Sequence, residues 1–125
     1  MDLTVLLDQI KSHPNYADVG MVLAHNGVVR GFSRDGHKVS GLSIQVDQER
    51  LNEIVAAQKQ RPGIVEILVE IVPDGALTVG DDVMYLVVAG DIRENVIAVL
   101  TDTLNEIKSS VTAKTEFFIA DEHTD

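Results

Sequence analysis

Helix-type apolar stripes and short strand-type runs alternate along this chain, and that alternation restricts its possible folds more than any other feature. Val5, Leu6 and Ile10 mark a helix from about Thr4 to Lys11, which Asp2 or Thr4 can cap and His13-Pro14-Asn15 stops. Leu51, Ile54 and Val55 mark a second, about Gln48 to Gln60, capped by Asp47 and ended by Arg61-Pro62-Gly63. A third opens at Asp91-Ile92-Arg93-Glu94, which has the form of a capping box, and runs to about Lys108. Its stripe is Val96, Ile97, Leu100, Leu104 and Ile107. The strand-type runs are Val19 to Arg30, Val39 to Val46, Ile64 to Val72, Val83 to Ala89 and Thr115 to Ile119. Gly27 inside the first suggests a bulge or a close backbone approach. Asp35-Gly36 is a hairpin signal, so the second run is expected to pair back on the first. Pro73-Asp74-Gly75 reads as a turn, and Ala120 to Asp125 as a frayed polar tail.

The resulting order, α-β-β-α-β-β-α-β, interleaves helices with hairpins. It predicts an α+β fold, a mixed or antiparallel sheet with flanking helices. No linker, repeat or low-complexity block divides the chain, so its 125 residues are expected to form one domain.

Composition narrows the chemistry. Without cysteine there is no disulfide framework, no thiolate metal site and no thiol nucleophile. Ten Lys and Arg against 20 Asp and Glu give a net charge of −10, which repels a polyphosphate backbone. With no Trp, two Tyr and three Phe, a base-stacking platform is also missing, so nucleic acid is not an expected partner. The start, MDLTVLLDQIK, lacks a basic segment before its short apolar stretch and does not read as a signal peptide. The most apolar window, Gly63 to Val72, contains Glu66 and Glu70 and falls far short of the ~20 residues of a membrane span. Cytoplasmic residence is the expectation.

Against that acidic background, the position of the scarce positive charge is informative. Arg30, Arg34 and Lys38 fall in one strand end and loop, Arg93 opens a helix, Lys108 closes it, and Lys114 follows. If the Gly31–Lys38 loop folds toward Arg93 and Lys108, these residues form an electropositive pocket for a small anion such as a phosphate ester. The competing reading is ordinary solvated surface, the usual situation of Lys and Arg. Other candidates are weaker. His13, His25, His37 and His123 show no metal-ligand spacing, so no metal is expected. His25, in an apolar strand, reads first as a core histidine. Gly31 to Lys38 resembles a phosphate loop only superficially, because the lysine comes one place late and no helix follows.

Several short motifs, in order, carry a family resemblance: Asp18-Val19-Gly20, Gly27-Val28-Val29-Arg30-Gly31, Ser33-Arg34-Asp35-Gly36, Gly75-x-Leu77-x-Val79-Gly80-Asp81, Ile92-Arg93, Ile107-Lys108 and Lys114-Thr115-Glu116. With them the chain resembles the large, catalytic subunit of molybdopterin synthase, the MoaE family, from about Val5 to Phe118. The resemblance implies an α/β-hammerhead architecture and a role in molybdenum cofactor biosynthesis. It implies a sulfurtransferase that converts cyclic pyranopterin monophosphate into the molybdopterin dithiolene. The implied partner is a small ubiquitin-like sulfur carrier whose C-terminal Gly-Gly bears a thiocarboxylate, on a homodimer within a heterotetramer. No cofactor or metal is implied beyond the substrate. Carried over by position, Lys108 and Lys114 are the catalytic lysines, Arg30 and Arg93 bind the substrate phosphate or the tail carboxylate, and Arg34 and His37 are loop contacts. Ile92 stands where the family has His, and His25 where it generally has Phe. Two alternatives stay open: a non-catalytic paralogue that binds a pterin-like anion or a protein partner, and a small dimeric regulatory α+β domain.

Overall fold

The computed structural model describes residues 1–73 and 75–119. Asp74, at the centre of the expected turn, and the expected tail from Ala120 onward lie outside the described residues. The elements are α1 Leu3–Lys11, β1 Met21–Val28, β2 Val39–Val46, α2 Gln48–Lys59, β3 Ile64–Ile71, β4 Gly75–Thr78, β5 Asp82–Gly90, α3 Arg93–Ser110 and β6 Thr112–Phe118. A single 3₁₀ turn, Tyr16–Asp18, joins α1 to β1. The α+β class stands, with one strand more than expected, because the stretch after Pro73 pairs as β4 instead of leading directly into β5.

The strands form two antiparallel sheets, β1-β5-β3 and β4-β2-β6. β5 is central because it is apolar on both faces. Its even residues Met84, Leu86 and Val88 meet Leu51 and Ile54 of α2 and Val96, Val99 and Ile107 of α3. Its odd residues Tyr85, Val87 and Ala89 meet Leu6 and Ile10 of α1. Leu86, Val87 and Val88 are 0% exposed. Burial on this scale stabilises by roughly 1.5–3 kcal/mol per large side chain, so β5 takes the middle position and recruits β1 and β3 as edges. A third cluster, Val29, Leu42 and Ile44 with Ile71, Val72, Leu77 and Val83, joins the two sheets.

This layering corrects one expectation: β2 does not pair back on β1. It pairs with β4 and β6, while β1 pairs with β5. The Asp35-Gly36 turn does form, with Gly36 at φ +88° and a bridge between Phe32 and Lys38. Beyond it the two strands part, because Val29 binds the β4–β5 turn: its N–H donates to the Asp81 carbonyl at 2.9 Å, and its carbonyl accepts from Gly80 at 2.8 Å. Gly27 meets its expectation. The register shifts between Gly27 and Val28, and a Cβ on Gly27 would lie 3.2 Å from Met84 Cγ. Gly41 lets β4 approach β2, since a Cβ there would lie 2.2 Å from the Leu77 carbonyl oxygen.

The caps of α1 and α2 match the sequence reading. Asp2 accepts the Thr4 N–H at 2.9 Å, and Asp47 accepts that of Arg50 at 3.0 Å. The capping box at α3 is not made. Ile92 is the capping residue, and it offers no side-chain acceptor. Asp91 lies one residue too early and binds the Ile92 N–H at 2.7 Å and the Asn95 amide at 2.9 Å, while Glu94 pairs with Arg93. Asn95 first, then the Ile92 N–H, hold the Asp91 carboxyl below its ordinary value.

Candidate functional site

Every candidate cation is exposed, and each is held by a well-anchored backbone. Arg30 directly follows Val29, which is 2% exposed and pinned to the β4–β5 turn, so Arg30 leaves the core at a fixed point. Arg34 sits in the turn that continues from it. There the buried Ser33 hydroxyl donates to the Asp35 carboxylate and accepts the His37 N–H at 3.1 Å. The Ser33 bond is the main cause that holds the Asp35 carboxyl below its usual range. His37 Nε2 lies 3.5 Å from Asp35 Oδ2, and its ring meets Phe118 edge-on at 6.3 Å. Lys38 accepts the Ile119 N–H through its carbonyl at 3.0 Å, and its side chain enters no salt bridge among the described residues.

Lys108 and Lys114 flank the α3–β6 junction. Val111 anchors that junction: it is 4% exposed, and its carbonyl accepts the Asp47 N–H at 2.8 Å. Lys114 stands on β6 opposite Ile44 of β2. Arg93, the first residue of α3, places Nε 3.3 Å from Glu94 Oε1 in solvent.

The cations fall in three places. Arg30, Arg34 and Lys38 gather where Val39 bonds to Gly31. Lys114 pairs five residues further along β2, roughly 17 Å away at strand rise. Arg93 and Lys108 stand at opposite ends of α3, about 22 Å apart along its axis. Within a single chain, Arg93 and Lys108 therefore do not share a pocket. The reason is the length of α3, whose two ends carry these residues.

Five of these cations, all but Arg93, share unpaired charge. Arg50, Lys59 and Arg61 each have a carboxylate partner. Among the described residues, Arg30, Arg34, Lys38, Lys108 and Lys114 enter no salt bridge, although acidic residues outnumber basic ones two to one. Unneutralised cations in so acidic a chain suit a small anionic ligand better than random surface does. The groove of about 350 Å³ between α2 and β3, lined by Leu51, Val55, Ala56, Lys59, Ile67 and Val69, contains none of these cations. Among the described residues no group of His, Asp and Glu is placed to hold a metal, and no helix is long and apolar enough to cross a membrane.

Comparison with known proteins adds the family. The model of the MoaE protein family matches residues 2–110. The chain belongs to the MoaE family. Among solved structures it is similar to molybdopterin cofactor biosynthesis protein E from Burkholderia multivorans, with a TM-score of 0.74 and 20% identity over 95% of this chain and 84% of that one. Molybdopterin synthase from Staphylococcus aureus matches with a TM-score of 0.69 and 20% identity over 82% of this chain and 77% of that one. A complex of subunits 1 and 2 of molybdopterin-converting factor from Helicobacter pylori matches with a TM-score of 0.69 and 16% identity over 98% and 86%. Among curated proteins none matches. The fold is that of the molybdopterin synthase large subunit, and MoaE membership implies a role in molybdenum cofactor biosynthesis. Arg30, Arg93 and Lys108 lie within the matched segment, and Lys114 just beyond it.

The sequence reading gave little weight to His25. It is half-buried on β1, and burial first, then the charge of Lys108, push its imidazole below the ordinary 6.5. The signal was the only histidine inside an apolar strand.

Proposed function

We propose that this protein is the large subunit of a molybdopterin synthase. It receives sulfur from a thiocarboxylate on the Gly-Gly tail of a small carrier subunit and inserts it into cyclic pyranopterin monophosphate to form the dithiolene. The carrying observation is that the MoaE match spans both Arg30 and Lys108, cations that no described carboxylate neutralises. In the proposed roles, Arg30 grips the phosphate, because its planar guanidinium donates two parallel bonds to oxygen. Lys108 and Lys114 move protons as sulfur replaces oxygen. Arg34 and His37 contact the ligand from the loop. The Helicobacter pylori relative, solved as a complex of two converting-factor subunits, supports a small-subunit partner.

Arg93 joins the same site in this reading through a second copy of the chain. The length of α3 keeps it about 22 Å from the Lys108 of its own chain, so a homodimer is the arrangement that unites them.

Ile92 favours a second reading, a paralogue that binds the precursor without turnover. It is 52% exposed at the start of α3, an apolar side chain where the family has His. Reconstitution separates the two. The protein is mixed with a thiocarboxylated small subunit and the cyclic precursor, and dithiolene product is measured. Product supports the synthase. Micromolar precursor binding without product supports the paralogue. Neither product nor binding removes both.

A further inference from the structure

β3 and α2 border a groove that no role assigned above uses. The sheet order β1-β5-β3 leaves the outer edge of β3 without a neighbouring strand among the described residues. The Val72 N–H donates inward to the Val83 carbonyl of β5 at 2.9 Å, whereas the Ile67 N–H is taken by the Glu66 carboxylate at 2.9 Å. Backbone polar groups alternate in direction along a strand, so the N–H and C=O groups of Ile67 and Val69 point outward. Glu66 occupies the first of these donors, and beyond it the edge is open. The groove, about 350 Å³, follows this edge: Leu51, Val55 and Ala56 of α2 line it together with Ile67, Leu68 and Val69. Ile67 and Val69 belong to the α2 face of the sheet and Leu68 to the α1 face, so a space lined by all three wraps the strand edge. Charge is uneven along it. Lys59, the last residue of α2, lies 2.7 Å from Glu66 near the start of β3, so helix and strand run in opposite directions and this end is neutralised. At the other end Glu70 follows Val69 and Glu49 follows Gln48, and neither enters a salt bridge among the described residues.

We propose that this groove is a strand-addition site for a second protein: an extended segment of the partner, in which apolar residues alternate with Lys or Arg, pairs with the outer edge of β3. Its backbone bonds to the outward groups of Ile67 and Val69. Directly opposed residues share a face, so its apolar residues, opposite Ile67 and Val69, turn toward α2 and fill the groove. Its basic residues lie opposite Leu68 and Glu70, where their stems cover Leu68 and their charges meet the unpaired carboxylate. Native edges are usually blunted by Lys, Pro or a bulge, and from Ile67 to Val69 this one carries none of them. A second copy of the chain is a poorer match in charge, because edge-to-edge pairing brings together Glu66 and Glu70 of two chains of net charge −10. The inference stands apart from the synthase reading, since it uses neither its lysines nor its arginines.

The test uses two end-blocked heptapeptides as probes, one alternating Lys with Val and one alternating Glu with Val, titrated into the full chain and followed by amide NMR and hydrogen exchange. The Lys-Val peptide is expected to shift the amides around Val69, to slow exchange of the Val69 N–H, and to bind roughly tenfold more tightly than the Glu-Val peptide, because several cross-strand charge contacts change sign between them. No binding, shifts confined to other faces of the molecule, or equal affinity for the two peptides overturns the proposal. Ala56→Phe fills the groove from an exposed position in the middle of α2. It is expected to keep the wild-type Tm and lose the peptide, and retained affinity overturns the proposal. Val69→Pro deletes one outward N–H, a change that an edge strand can tolerate, and is expected to weaken binding as well; should that variant not fold, Ala56→Phe decides. A Val69 amide already protected in the peptide-free protein, with shifts there that follow protein concentration, would assign the edge to a second copy and overturn the proposal.

Discussion

Ile107 and Lys108 are adjacent in sequence, yet they are expected to respond oppositely to truncation. Ile107 is 0% exposed and sits in the cluster with Met84, Leu86 and Val88. Ile107→Ala removes buried methylene and methyl groups from a place where α3, β5 and the Val111 anchor meet, so the cavity has little means to collapse. Losses for such changes run about 2–5 kcal/mol, and about 3 kcal/mol is expected here. For a chain of 125 residues the unfolding entropy is roughly 260 cal/mol/K, so this corresponds to about 12 °C in Tm. Lys108 is exposed and enters no salt bridge among the described residues. Lys108→Ala gives up a weak interaction with the C-terminal helix dipole and gains helix propensity, so stability should stay within about 0.5 kcal/mol. In the reconstituted reaction, however, Lys108→Ala should abolish product. Thermal unfolding and product formation, measured side by side on both variants, test the pair. If Lys108→Ala unfolds as early as Ile107→Ala, the lysine is structural. If it folds and keeps full activity, its catalytic role is wrong.

Arg30→Ala should weaken binding of the cyclic precursor while Tm stays within a few degrees; unchanged affinity by titration calorimetry would place the phosphate elsewhere. Gly41→Ala should destabilise by about 1–3 kcal/mol, because its Cβ would meet the Leu77 carbonyl oxygen at 2.2 Å and force β4 from β2. Urea midpoints equal to the wild type would show that the strands can part freely. Asp91 has a depressed folded value, so its contribution to stability is present above the ordinary 3.8 and is lost as pH falls through the lower folded value. Asp91→Asn should therefore lose less stability than the wild type on acidification below about pH 4; parallel acid slopes would remove Asp91 from the account.

Local pattern reached far into this fold. The helical stripes placed α1 and α2 to within a residue or so, and Asp2 and Asp47 cap as their positions imply. Five of the six described strands were equally legible, because apolar runs bounded by Gly and Pro report burial directly; β4, short and mostly exposed, was not. Strand partners were not. A hairpin signal such as Asp35-Gly36 describes one turn, whereas pairing follows competition among all strands, and β5 wins β1 by being apolar on both faces. The absent capping box failed for a related reason: Asp91 is one residue early and is engaged by Asn95 instead.

The candidate site divides in the same way. Which residues carry positive charge, and that they are few in an acidic chain, is written in the residue types. So are the short motifs through which the MoaE family is visible. Which of those charges come together is a property of three-dimensional arrangement: Arg30, Arg34 and Lys38 gather where Val39 bonds to Gly31, while Lys114 stands opposite Ile44 further along β2. Charge and periodicity are local quantities, fixed residue by residue. Proximity arises from how layers stack to bury β5, and no window of neighbouring residues contains that information.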